Sequence, residues 1–111
     1  MGLDQRAWAV KGEVRIDIQY WRKHYDLEAF MEGLYRERGG FEEFNCITIK
    51  LLEEDLNLLQ NTHILLERAY KDPPEGKSPY WVDSTQQTDD FINHALTLQR
   101  EGFEIFYSSW W

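Results

Sequence analysis

Between residues 14 and 35 the apolar residues change their spacing, and this change limits the available folds more than any other feature. Val14, Ile16, Ile18 and Tyr20 recur at every second position, with Arg15, Asp17 and Gln19 between them. That is the pattern of a strand with one wet face. Leu27, Phe30, Met31, Leu34 and Tyr35 then recur at every third or fourth position, the stripe of an amphipathic helix. A chain that switches period in this way must pack a helix on a sheet. Asp26 is placed to cap the helix start, and Gly39-Gly40 to stop it. On the helix surface Glu28 meets Glu32, and Glu32 meets Arg36, at i, i+4 spacing, so only the second pair attracts.

The alternation continues. Residues 44–51 predict a second strand through Ile47, Ile49 and Leu51, and Glu53-Glu54-Asp55 opens a second helix with acids at the positive end of its dipole. Leu52, Leu56, Leu59, Leu65, Leu66 and Ala69 give that helix an apolar side, while Asn61-Thr62 leaves its length open. All three prolines lie in a loop from Lys71 to Pro79, followed by a short strand at Tyr80-Trp81-Val82. A third helix, capped by Thr85 or Thr88, buries Phe91, Ile92, Ala95, Leu96 and Leu98 and ends at Glu101-Gly102. Phe103, Ile105 and Tyr107 form the last strand, and Phe106 makes both its faces apolar, as in a covered strand. A further short strand at 7–10 precedes a Lys11-Gly12 turn. Strands alternating with helices predict an α/β (or α+β) fold. The expected sheet is small, three- to four-stranded and largely parallel or mixed, with about three helices packed on it. The 111 residues suit one domain, with room for residues 1–13 to be a peripheral extension.

Charge narrows function. The net charge is −8, from 20 acidic and 12 basic residues, which disfavours a general nucleic-acid binder. Acidic clusters at Glu42-Glu43, Glu53-Glu54-Asp55 and Asp89-Asp90 allow DNA mimicry as a minor reading, although two of them suit helix starts. Cys46 is the single cysteine, so no internal disulfide forms. No apolar run resembles a signal peptide or a membrane span, and the cytoplasm is the expected compartment, with no membrane partner and no cofactor.

The segment Tyr20-Trp21-Arg22-Lys23-His24-Tyr25 concentrates cationic and aromatic side chains between the first strand and the first helix. In a parallel sheet it sits at a strand's carboxyl end beside a helix N-terminus, where ligands and anions bind. Asn45 and Cys46 stand at the start of the second strand. A nucleophilic cysteine needs a base, and His24, His63 and His94 offer one only in principle, so a small buried Cys is the simpler reading. Trp110-Trp111 closes directly after a strand, and packing of at least one indole is expected. If the last strand runs in the direction of the first, both indoles emerge beside Tyr20–His24. Trp, Tyr and Arg are the residue types that dominate binding hot spots.

Three blocks also carry a family likeness: Tyr20-Trp21-Arg22-Lys23-His24 with Asp26-Leu27 and Met31-Glu32; Phe44-Asn45-Cys46 followed by Glu53-Glu54-Asp55-Leu56; and Phe106-Tyr107 through Trp110-Trp111. In this order, across residues 18–111, the chain resembles a group of small proteins of tailed bacteriophages and prophages, often labelled as kinases. The resemblance implies an accessory protein in the host cytoplasm with no established enzymatic activity, and it brings no catalytic residues. The chain departs from that family in three places. Ser108 stands where the family has an Asp before Ser-Trp-Trp, Lys77–Val82 replaces a Phe-rich strand with glycines, and the first 17 residues are additional.

The leading expectation is therefore a protein that binds a host or phage protein, a defence component among the candidates, and is not an enzyme. Its expected contact residues are Tyr20, Trp21, Arg22, Lys23, His24, Asn45, Trp110 and Trp111. The alternative is a small anion- or nucleotide-binding protein, or a small enzyme, that uses the 20–25 turn.

Overall fold

The computed structural model describes residues 2–69 and 80–111. Seven elements follow in order: β1 (Asp4–Lys11), β2 (Val14–Arg22), α1 (Tyr25–Glu37), β3 (Thr48–Leu51), α2 (Glu53–Ala69), α3 (Tyr80–Arg100) and β4 (Glu104–Trp110). The four strands form one sheet in the order β2-β1-β4-β3, and every neighbouring pair is antiparallel. The class is α+β, and the largely parallel or mixed sheet expected from the alternation does not occur.

The reasons lie in three segments. First, residues 4–11 are an inner strand rather than a peripheral extension, hydrogen-bonded to β2 on one side and β4 on the other. Gly12, at φ 60°, supplies the positive dihedral of the two-residue Gly12-Glu13 hairpin loop. Second, residues 44–47 are not strand. The chain leaves α1 near the far end of β3, where Arg38 donates to the Lys50 carbonyl at 2.7 Å, and returns irregularly to start β3 opposite Ser108. This return reverses the direction that a plain helical crossover would impose. Third, residues 80–82 belong to α3 rather than to a short strand, so two helices, not one, join β3 to β4 and bring the chain back antiparallel. The proline loop expected at 71–79 lies outside the described residues.

Local signals explain most boundaries. His24 precedes α1 without a side-chain cap, and Asp26 falls in the first turn rather than at the cap. Gly39, at φ 88°, follows the C-cap Arg38 as expected. Asp55 accepts from the Leu52 amide at 2.8 Å, half of a capping box that starts α2, and its other partner is Arg38. Thr88 lies inside α3, so it caps nothing.

All three helices pack on one face of the sheet. Ala7, Ala9, Ile49, Leu51, Ile105 and Tyr107 from alternate strand positions share a core with Leu27, Met31, Leu34, Leu56, Leu59, Phe91, Ile92, Ala95 and Leu98. Trp21 is completely buried there, edge-on to Phe91 at 5.0 Å and tilted against Tyr107 at 6.2 Å. Trp8, Phe106 and Trp110 point to the opposite face and join no core cluster among the described residues.

Candidate functional site

β2 and β4 both antiparallel to β1 means that both finish at the same end of the sheet. Asp4 accordingly lies opposite Arg22 on one side and Trp110 on the other. Backbone bonds tie the segments there: Lys23 N–H donates to Leu3 O, and Cys46 N–H to Ser109 O, each at 2.8 Å. The three blocks at 20–24, 44–46 and 106–111 thus meet at one end, although they are far apart along the chain. Lys23 and Cys46, at φ 59° and 60°, are the non-glycine residues with left-handed backbone among those described, and both lie here.

The sheet divides the expected contact residues. Trp21 and His24 turn inward and are buried. Tyr20, Arg22 and Trp110 lie on the open face, Lys23 is exposed in the turn, and Asn45 and Trp111 stand at the helix-covered side. Asn45 grips the backbone of Trp111 twice, its Oδ1 accepting from the amide at 3.0 Å and its Nδ2 donating to the carbonyl at 3.2 Å. The Trp111 indole N–H donates to Phe44 O at 3.0 Å. The final indole is therefore held by its edge while Trp111 remains 45% exposed.

Behind it lies a cavity of about 520 Å³, within the range of small-ligand sites. Leu3, Tyr25, Phe44 and Trp111 make its apolar and aromatic wall, and Glu28, Glu32, Glu43 and Arg36 its polar one. Arg36 pairs with Glu32 at 3.3 Å. Glu28 accepts from Ser109 Oγ at 2.7 Å and from the Tyr107 hydroxyl at 3.2 Å, which fastens α1 to β4. Tyr107 in turn accepts from Gln5 Nε2 at 2.9 Å. Gln5, fully buried, also brackets the His24 backbone, donating to its carbonyl and accepting from its amide at 2.9 Å each. The His24 ring contacts Thr88 Oγ1 at 3.0 Å. Two residues placed for ligand work by the sequence, Trp21 and His24, thus brace this floor from inside.

Burial raises the Glu28 carboxyl above its ordinary range, against the lowering effect of the hydrogen bonds from Ser109 and Tyr107. Tyr107 is pushed well up by burial and by the negative Glu28 beside it. A carboxyl held high binds its proton more tightly in the folded chain than in the unfolded one. Its stabilising contribution is therefore full below the unfolded value of 4.5 and is lost as pH rises through the folded value. Glu28→Gln should abolish this dependence. The melting temperature of the native chain should fall relative to that of the variant as pH is raised from 4.5 towards neutrality, and a constant difference across that range would refute the assignment.

Cys46 is exposed, not buried, and its Sγ meets the Asn45 amide oxygen at 3.6 Å, a group that is no base. His94 is exposed on α3. Among the described residues no helix is long and apolar enough to cross a membrane. Gln5, Glu28, Glu43 and Ser109 went unseen as site residues. The one available signal was the repulsive Glu28–Glu32 spacing, which places like charges together on a helix flank. Comparison of the chain with protein-family models, curated proteins and solved structures finds no match to any of them.

Proposed function

We propose that this domain is a non-enzymatic interaction module of bacteriophage or prophage origin, acting in the host cytoplasm, which docks on a partner protein and seats one of its basic side chains in the cleft beside Trp111. The observation that carries the reading is the composition of that cleft. Three carboxylates against one guanidinium, facing Tyr25 and an edge-clamped Trp111, match a lysine or arginine head group. Aromatic faces and carboxylates both attract a cation, and the pairing strengthens where water is excluded. Exposed Tyr25, in the cleft wall, is a further contact residue of a hot-spot type. The phage assignment rests on the resemblance of the three blocks that meet here.

Titration with a lysine-rich peptide, followed by indole fluorescence, tests the cleft. Binding should saturate, weaken with salt, and drop about tenfold or more in Glu43→Gln and Trp111→Ala, whereas a glutamate-rich peptide of equal length should not bind. Equal response to both peptides, or indifference to both substitutions, would remove the reading. An anion or nucleotide site on the 20–25 turn predicts instead a rise in melting temperature with phosphorylated ligands. That reading has less to draw on, because the His24 ring is buried against Thr88 and leaves Arg22 and Lys23 exposed in the turn. An acidic DNA mimic needs an unbroken negative surface, and Arg6, Arg15, Arg22 and Lys50 interrupt one on the open face.

A further inference from the structure

The uncovered face of the sheet has a character opposite to that of the chain. Its inner strands β1 and β4 place Trp8 on Phe106, with ring centroids 5.9 Å apart and planes 24° from parallel. Trp110 continues the row on β4, and Tyr20 adds a ring, 47% exposed, on β2. Guanidinium groups lie on these rings: Arg15 over Trp8 at 4.8 Å and Arg6 over Trp110 at 5.0 Å.

Charge is segregated as well. A chain of net charge −8 sets Arg6, Arg15, Arg22 and Lys50 against Asp4, Asp17 and Glu104 on this face. Each of the three carboxylates already has a partner. Asp4 accepts from the Tyr20 hydroxyl, Asp17 pairs with Arg15 at 3.4 Å, and Glu104 pairs with Lys50 at 3.6 Å. Among the described residues no carboxylate lies within ion-pair distance of Arg6 or Arg22. Beside Arg6 and Tyr20, where the register slips between Ala7 and Trp8, a hollow of about 290 Å³ opens. Whole-chain charge hides this arrangement, because the acids are concentrated elsewhere.

We propose that this face is a docking surface for single-stranded nucleic acid, with bases stacking on the guanidinium planes that Trp8 and Trp110 support and on the exposed Tyr20 ring, and phosphates meeting Arg6, Arg15, Arg22 and Lys50. Flat sheets with aromatic and arginine planes accept unpaired bases of any identity, because every base has a π-face. A duplex buries those faces and leaves only its phosphates, which four cations mixed with three carboxylates recognise poorly. A second copy of the chain is a poor occupant, since two such faces would set arginines against arginines. The surface is separate from the Trp111 cleft, and neither proposal depends on the other.

Fluorescence anisotropy of a labelled oligothymidylate, an oligouridylate and a duplex of the same length, with the whole chain as titrant, tests this. Both single strands should bind, with the logarithm of affinity falling on the logarithm of salt with a slope of about −2 to −3 between ~50 and ~200 mM KCl, as three to four phosphate contacts require. The duplex should bind at least about tenfold more weakly. The exposed double variant Arg6→Gln/Arg15→Gln, checked for fold by circular dichroism, should lose about tenfold in affinity and bring the slope towards about −1. Trp8→Leu, which keeps an apolar side chain, should weaken both single strands and leave the slope unchanged. No anisotropy change up to ~100 µM protein at low salt, the weak end of non-specific binding, would overturn the proposal. So would equal affinity for the duplex, an unaltered slope in the arginine variant, or self-association in sedimentation that the arginine variant abolishes.

Discussion

Trp21→Ala should destabilise the domain by about 3–5 kcal/mol, the range for a large aromatic removed from a packed core. Trp21 is fully buried between Phe91 and Tyr107, on the last turn of β2 before the chain enters α1. The substitution empties the junction of sheet, α1 and α3 at once. Since an ordinary domain has only ~5–15 kcal/mol in total, the melting temperature should drop by roughly 10–25 °C, or the variant should be unfolded at 37 °C. Trp21→Phe should cost far less. The indole Nε1 has no hydrogen-bond partner among the described residues, so phenylalanine keeps the ring contact and deletes an unsatisfied donor. If the two variants melted alike, the indole's packing would not be the source of its importance.

Gln5→Leu should rank behind Trp21→Ala, at about 1–3 kcal/mol, for a different reason. Leucine replaces the side-chain amide without leaving a void, but strips the acceptor from the His24 N–H in a place that water does not reach, while the His24 carbonyl keeps the Glu28 amide at 3.1 Å. One orphaned buried amide costs about 1–3 kcal/mol. Chemical denaturation measures the loss, and amide exchange locates it. The His24 N–H should exchange faster in the variant by more than the global loss explains, whereas amides in the middle of α3 should track global stability alone. Uniform acceleration would mean that Gln5 acts through packing rather than through those bonds.

The sequence revealed periodicity well and pairing poorly. Leu27–Tyr35 and Phe103–Tyr107 announced their elements because each buries one face, and the period records which. Val14–Tyr20 announced a strand but not its faces, since the register slip opposite Ala7 and Trp8 leaves Val14 and Tyr20 exposed and turns Trp21 inward. Direction was read from alternation alone, and the short strand expected at 7–10 carried no sign of its inner place in the sheet, because its inward residues Gln5, Ala7 and Ala9 are small or polar. Small and polar residues fit there because the large core side chains come from the strands on either side, with Gln5 opposite Trp21 and Ala7 opposite Tyr107, so this inner strand is the least hydrophobic in appearance. The Ile47–Leu51 alternation was genuine only from Thr48 onward, since Cys46 adopts a left-handed backbone that no ladder accepts. At the site, the meeting of Trp111 with the Trp21–His24 turn was legible, because β2 and β4 share a direction whether they are adjacent or flank a third strand. What was not legible is that Trp21 and His24 face inward: the register slip opposite Ala7 and Trp8 turns Trp21 to the core, and the Gln5 amide on the neighbouring strand holds the His24 backbone.

That inner strand also decides when the domain can form. Its residues 4–11 pair with β2 within a few residues, but their other partners stand at 104–110. During synthesis the hairpin of β1 and β2 precedes β4 with one ladder complete and the other open, and it stays so until about eighty further residues have followed. Contacts of such separation slow folding, and an unpaired inner edge invites foreign strands meanwhile. The ladder between β1 and β4, whose partners lie about a hundred residues apart, is thus the most distant pairing in the sheet and the one that holds its two halves together.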